Sequence, residues 1–238
     1  LKRLPAFALL EVALALLILG ALGTLGLQTY THMINTQKIK KTEEKLESLF
    51  KVIGSYVRLN GRLPCPSTPN TQSAGYGKAY PSCRSGTDFV GAVPFKTLGV
   101  GADFALDGYG HQITYAINAD LVLSETEISV ATNKIEPFCQ VESSSHALII
   151  LGPGGTPLIE TGADQFGAVV VISHGKSGDG CYNKDGSINP ATGTEKSENA
   201  ARTRRFYDRS RSKDFDDHIK WASRDNLMAL WGGTPCVR

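Results

Sequence analysis

No two of the five cysteines, at 65, 83, 139, 181 and 236, are spaced C-x-x-C, so the sequence offers neither a zinc ribbon nor a thioredoxin-type redox pair. Net charge is equally scarce. A formal charge of +2 over 238 residues argues against a dedicated nucleic-acid binder, whose phosphate contacts need a strongly basic face. No serine lies in a G-x-S-x-G elbow, and the adjacent Ser173 and His174 make no triad by adjacency alone. Gly175-Lys176-Ser177 ends like a phosphate-binding loop, but Val170 stands where that pattern requires its first glycine. A glycine-rich turn leaving a buried strand explains the same residues. There is no internal repeat and no low-complexity tract.

What is present is the composition of a folded chain, 41% hydrophobic and 20% charged, with room for one or two domains. The widely spaced cysteines and an apolar N-terminal run fit an oxidising compartment outside the cytoplasm. Two disulfides and one spare thiol can be arranged in about fifteen ways among which sequence alone does not choose, with Cys65–Cys83 and Cys181–Cys236 as the candidate pairs. Five buried, reduced cysteines are the alternative, because free cysteine packs as a small apolar residue.

From Val12 to Gln37 no residue is formally charged, and Lys2 and Arg3 precede the run. Phe7 to Leu27 as a helix is about 30 Å long, the thickness of a bilayer's hydrocarbon core, so the expectation is a membrane span with a basic cytoplasmic tip. Glu11 is the anomaly. A carboxylate at bilayer depth costs about 2.5–3.5 kcal/mol, so a segment that served only as an anchor would do better without it.

Farther on, Ile39, Leu46, Leu49, Phe50, Ile53, Tyr56 and Val57 recur at helical spacing, with Lys and Glu filling the opposite face. Glu47 and Lys51 stand at i and i+4 in the favourable order, and Asn60-Gly61 followed by Pro64 supplies a stop. Beyond Pro64 the chain turns to Gly, Pro, Ser and Thr with short apolar runs. Strands are expected over 113–118, 147–151 and 167–172. The stretch "FDDHIKWASRDNLMALW" reads either as a strand turning into a short helix or as one helix.

The segment "KRLPAFALLEVALALLILGALG" resembles the N-terminus of type IV prepilins and type II secretion pseudopilins: a basic leader, a small residue, Phe, then a Glu four residues later in an apolar helix. The resemblance implies cleavage by a prepilin peptidase between Ala6 and Phe7 and methylation of the new Phe7 amine. It also implies an ionic contact between Glu11 and the Phe7 amine of a neighbouring or the same subunit, which would relieve both charges. Gly20 falls where many pilins carry a glycine, and Ala6 where the family usually has Gly. "LDGYGHQITYAIN" is similar to a turn and strand of many pseudopilin-like proteins, and "VVVISHGKSGDG", "SENA" and "FDDHIKWASRDNL" are similar to segments of prepilin-type chains.

The expected fold is α+β: a leader over 1–6, a transmembrane and assembly helix over 7–30, an amphipathic helix over 31–61, and a loop-rich head over 62–238 with a mostly antiparallel sheet packed on that helix. The expected role is a minor pilin or pseudopilin, not an enzyme, anchored in the bacterial inner membrane with its head in the periplasm. Its partners would be other pilin-like subunits and the peptidase. The rivals are a secreted soluble protein or enzyme with a conventional signal peptide cut near Ala21 to Gly23, and a single-pass anchored binding domain. Asp214, Asp216 and Asp217 are candidate calcium ligands, against a reading as solvated turn carboxylates. Arg202, Arg204, Arg205, Arg209 and Arg211 are the candidate contact for DNA or another anion, against a reading as a solvated loop.

Overall fold

The computed structural model describes residues 7–84, 88–131, 133–142, 146–159, 166–229 and 236, and of 7–9 and 22–28 the backbone alone. The leader over 1–6, with Ala6, lies outside the described residues, as does the side chain of Phe7. The first element is α1 (Phe7–Asn60), one unbroken helix. The chain divides into two compact units, Leu1–Lys40 and Lys41–Arg238, so the boundary falls inside the helix.

Over residues 10–19 of the first unit the large apolar side chains stand in solvent: Leu10, Val12, Leu14, Leu16, Leu17, Ile18 and Leu19 are all exposed. The expected transmembrane segment over 7–30 is corrected here. Among the described residues no helix is long and apolar enough to cross a membrane. Glu11 sits within this apolar run.

In the second unit the helix becomes one-sided. Leu46, Leu49, Phe50, Ile53 and Val57 are buried and lie on one stripe. On the solvent side Lys51 pairs with Glu47 at 3.2 Å. Lys45 ties the helix to the head by donating to the carbonyls of Asp103 and Leu106, both at 2.7 Å. The stop at Gly61 has a steric cause. Its φ is +68°, and a Cβ there would collide with the Lys134 carbonyl.

The head is built on a four-stranded antiparallel sheet, ordered β1 (Val90–Ala92), β2 (Thr114–Ile117), β4 (Gly167–Ser173) and β6 (His218–Ser223). The run Val-Val-Val-Ile makes β4 a strand because branched side chains suit a pleated surface, and all seven of its residues are buried. Tyr115 pairs with Val171 across β2 and β4, and its hydroxyl donates to the Pro64 carbonyl at 3.0 Å. A second sheet joins β3 (Ile149–Leu151) to β5 (Arg205–Tyr207), and this pair is parallel.

Three short helices stand between strands: α2 (Glu125–Ser129), α3 (Glu136–Gln140) and α4 (Thr194–Ala200). The ambiguous C-terminal stretch resolves into β6 followed at once by α5 (Arg224–Ala229). The stripe of α1, the sheet and α5 contribute to one hydrophobic core. Ile53, fully buried in it, is expected to cost about 3 kcal/mol on Ile53→Ala, through lost transfer energy and the cavity left behind. Urea unfolding followed by circular dichroism measures that shift.

Cys65 and Cys83 form a disulfide, and a second bridge joins Cys139 to Cys236. The expected Cys181–Cys236 pair is therefore corrected: Cys181 is a buried free thiol. Its sulfur accepts from Asn189 Nδ2 at 3.2 Å, and Cys236 is taken by the bridge to α3.

Candidate functional site

The densest polar cluster of the head lies where the loop after β4 meets the turn before β2, the helix α4 and the segment before β6. Asp107 organises its first layer. Oδ1 accepts from the backbone of Tyr109 at 2.8 Å and of His111 at 2.9 Å, closing the Asp-Gly-Tyr-Gly turn, while Oδ2 accepts from Ser173 Oγ at 2.6 Å. The Ser173 hydroxyl is thus directed at Asp107. His111 Nδ1 lies 3.0 Å from the Gly175 carbonyl and fixes the loop after β4 from the other side.

Lys196 organises the second layer. Its position three residues before Asn199 puts both on one face of α4, and both are buried. The ammonium donates to Asp216 Oδ1 and Ser177 Oγ at 2.7 Å each and to Asp179 Oδ2 at 3.1 Å, so three donors meet three acceptors. Burial opposes its charge, but the bonds to Asp216 and Asp179 hold its pKa above the usual lysine value. Burial likewise works against ionisation of Asp216, and the Lys196 and Ser177 bonds outweigh it, holding that carboxyl below the usual range.

The innermost layer is His174 with Asp217. His174 Nε2 lies 3.0 Å from Thr114 Oγ1, and Nδ1 lies 3.8 Å from Asp217 Oδ1. Asp217 Oδ2 accepts from Asn199 Nδ2 at 2.9 Å, while Asn199 also clamps the backbone of Tyr207. Burial, aided by the Lys196 charge, pushes the imidazole down to about 3. Burial, aided by the charges of Asp216 and Asp179, pushes the Asp217 carboxyl up to about 7. Hydroxyl, imidazole and carboxylate follow one another as in a nucleophilic relay. Thr114 and His174 are nevertheless buried, so no substrate atom reaches this hydroxyl in the folded head.

Beside this cluster an open cleft of about 390 Å³ is lined by Asp217 together with Glu43, Glu47, Arg211, His218 and Lys220 among others, a mixture of both signs with no single preferred ligand charge.

The candidate calcium ligands do not converge. Asp214 is exposed, Asp216 is bound to Lys196 and Ser177, and Asp217 turns inward to Asn199. Among the described residues no three His, Cys, Asp or Glu side chains gather to hold a metal ion. The arginine cluster is divided too. Arg202 lies over the Tyr182 ring at 5.6 Å, Arg204 over Phe89 at 5.1 Å, and Arg209 pairs with Glu195 at 2.6 Å. Arg205 and Arg211 remain exposed.

Glu11 and Gly20 lie on α1, Glu11 exposed and Gly20 with open space around it. Asp107, Lys196 and Asn199 were not picked out as site residues from sequence. The signal available was the lysine and asparagine three apart in "TEKSENA", which on a helix share a face. Comparison with family models, with curated proteins and with solved structures returns no match for this chain.

Proposed function

We propose that the chain is a pilin-like structural subunit that assembles with further subunits through the N-terminal part of α1. The observation that carries the reading is the side-chain pattern over 10–21. Seven large apolar residues, Leu10, Val12, Leu14, Leu16, Leu17, Ile18 and Leu19, stand exposed on a single helix, and Glu11 is the one carboxylate among them. Apolar surface of that extent asks to be covered. Neighbouring helices of identical subunits would cover it, and the resemblance to prepilins supplies the reason for Glu11: a neighbour's Phe7 amine as its counter-ion.

The reading needs no membrane span. It needs only that the helix be buried among others in the assembled state. Two disulfides in the head support an oxidising, extracytoplasmic compartment for it. The polar cluster around Lys196 serves the head's architecture, so the proposed work is mechanical, with the prepilin peptidase as the processing partner.

Two measurements test it. Mass spectrometry of the mature chain is expected to find N-methyl-Phe7 at its start; a start near Thr24 overturns the reading. Glu11→Ala is expected to leave the head folded while filaments seen by electron microscopy fall at least about tenfold, since a loss of only about 1.4 kcal/mol per contact suffices for that. Undiminished filaments, or none in the wild type under conditions that process it, count against assembly.

A further inference from the structure

Two polar atoms face each other inside the head with no hydrogen-bond partner: His174 Nδ1 and Asp217 Oδ1, on side chains wholly removed from solvent. At 3.8 Å they stand about 1 Å beyond hydrogen-bond distance, so a small closure would satisfy both, given a proton between them. Their far ends are already tied, His174 to Thr114 on β2 and Asp217 to Asn199 on α4.

We propose that His174 and Asp217 share one exchangeable proton and form a proton-operated latch, closing the loop after β4 against α4 and the segment before β6. With the proton present, Asp217 Oδ1–H donates to Nδ1, and Nε2–H donates to Thr114 Oγ1. When that proton leaves to solvent, the imidazole changes tautomer: Nδ1–H donates to the carboxylate, and the Thr114 hydroxyl donates to Nε2. The two states differ by one proton and one negative charge.

The groups facing the pair are Lys196 from α4, Asp179 from the loop after β4, Asp216 from the segment before β6, and His111 from the turn before β2. Lys196 is committed to Asp179 and Asp216, which leaves the new charge on Asp217 only partly answered. The signs follow from the two shifts. Asp217, raised to about 7, contributes stability in full below its unfolded value of about 3.9 and loses it as pH rises through about 7. His174, lowered to about 3, contributes in full above its unfolded value of about 6.5 and loses it as pH falls through about 3. Between about pH 4 and 6.5 the two slopes oppose, and above that window only the loss from Asp217 remains. The latch therefore loosens on the alkaline side of neutrality. This inference is independent of the filament reading.

Native-state hydrogen exchange on the full chain, corrected for intrinsic rates, tests it. The ratio of amide protection in the wild type to that in Asp217→Asn, over 174–181 and 216–218, is expected to fall at least about tenfold between pH 5.5 and 8.5, the His174 contribution cancelling in the ratio. A ratio that stays level within about twofold over that range overturns the latch. Should Asp217→Asn not fold, the ¹³C carboxyl titration of wild-type Asp217 decides. A midpoint near 7 supports the shared proton, and one near the ordinary aspartate value removes it.

Discussion

Lys196→Ala is expected to destabilise the head by about 3 kcal/mol, the largest effect of any single substitution in the polar cluster. Removing one member of a buried ion pair costs about 3–5 kcal/mol because the remaining charge stays behind unpaired. Here two carboxylates are left, Asp179 and Asp216, together with the Ser177 hydroxyl. The lysine side chain is only 4% exposed, but those of Asp179 and Asp216 keep 31% and 28% of their surface, so water screens part of the loss and the lower end applies. The control is a pair of substitutions. Lys196→Met combined with Asp216→Asn removes both the cation and its closest anion, and is expected to recover more than half of the cost. Guanidinium unfolding of the wild type, Lys196→Met, Asp216→Asn and the double variant measures the coupling. A cost below about 0.5 kcal/mol for Lys196→Ala would place the ion pair among ordinary surface contacts.

The same substitution bears on the latch. The Lys196 charge acts on both members of the His174 and Asp217 pair, favouring ionisation of Asp217 and opposing that of His174. Without it the Asp217 carboxyl is expected to hold its proton to higher pH, so the alkaline loosening of the loop after β4 moves upward. A stability loss at pH 6 joined to a later loosening is a combination that a merely structural lysine would not produce.

How far the sequence spoke for itself depended on the range of the interaction. The stripe of Leu46, Leu49, Phe50, Ile53 and Val57 was legible because helical period is local, and so was the stop at Gly61, where a positive φ is needed. The apolar run of β4 was legible as a buried strand for the same reason. In the basic cluster the row of arginines carried no signal for the rings that arrive from elsewhere, Tyr182 under Arg202 and Phe89 under Arg204. The carboxylates at 214, 216 and 217 likewise gave no local sign that neighbours in sequence turn to different surroundings, one to solvent, one to Lys196 and one to Asn199. In the N-terminal run, hydropathy over 7–27 suggested a span, whereas among the described residues no helix is long and apolar enough to cross a membrane. The parallel pairing of β3 with β5 had no local signal, because register between distant segments is set by the folded core.

The two disulfides differ in how much chain they close, and their removal is expected to differ accordingly. Cys139–Cys236 joins residues 97 apart, Cys65–Cys83 residues 18 apart. In the chain-entropy picture a loop of the first size restrains the unfolded state by about 4.7 kcal/mol and one of the second by about 3 kcal/mol. The long bridge has native support as well. Arg224, buried at the start of α5, donates from one guanidinium nitrogen to the carbonyls of Cys139 and Val141 at 2.8 and 2.5 Å, with the Phe166 ring 5.6 Å from its charge centre. The expected result is a loss of about 4–5 kcal/mol for the double serine variant at 139 and 236, about 1–2 kcal/mol more than for the one at 65 and 83. Thermal unfolding at fixed pH with both variants in parallel reads the difference. If Arg224 already held α5 to α3 in the unfolded ensemble, the loss at 139 and 236 would shrink below the chain-entropy value. A larger loss at 139 and 236 therefore assigns the restraint to the covalent bond, and makes the long bridge the dominant cross-link of the head.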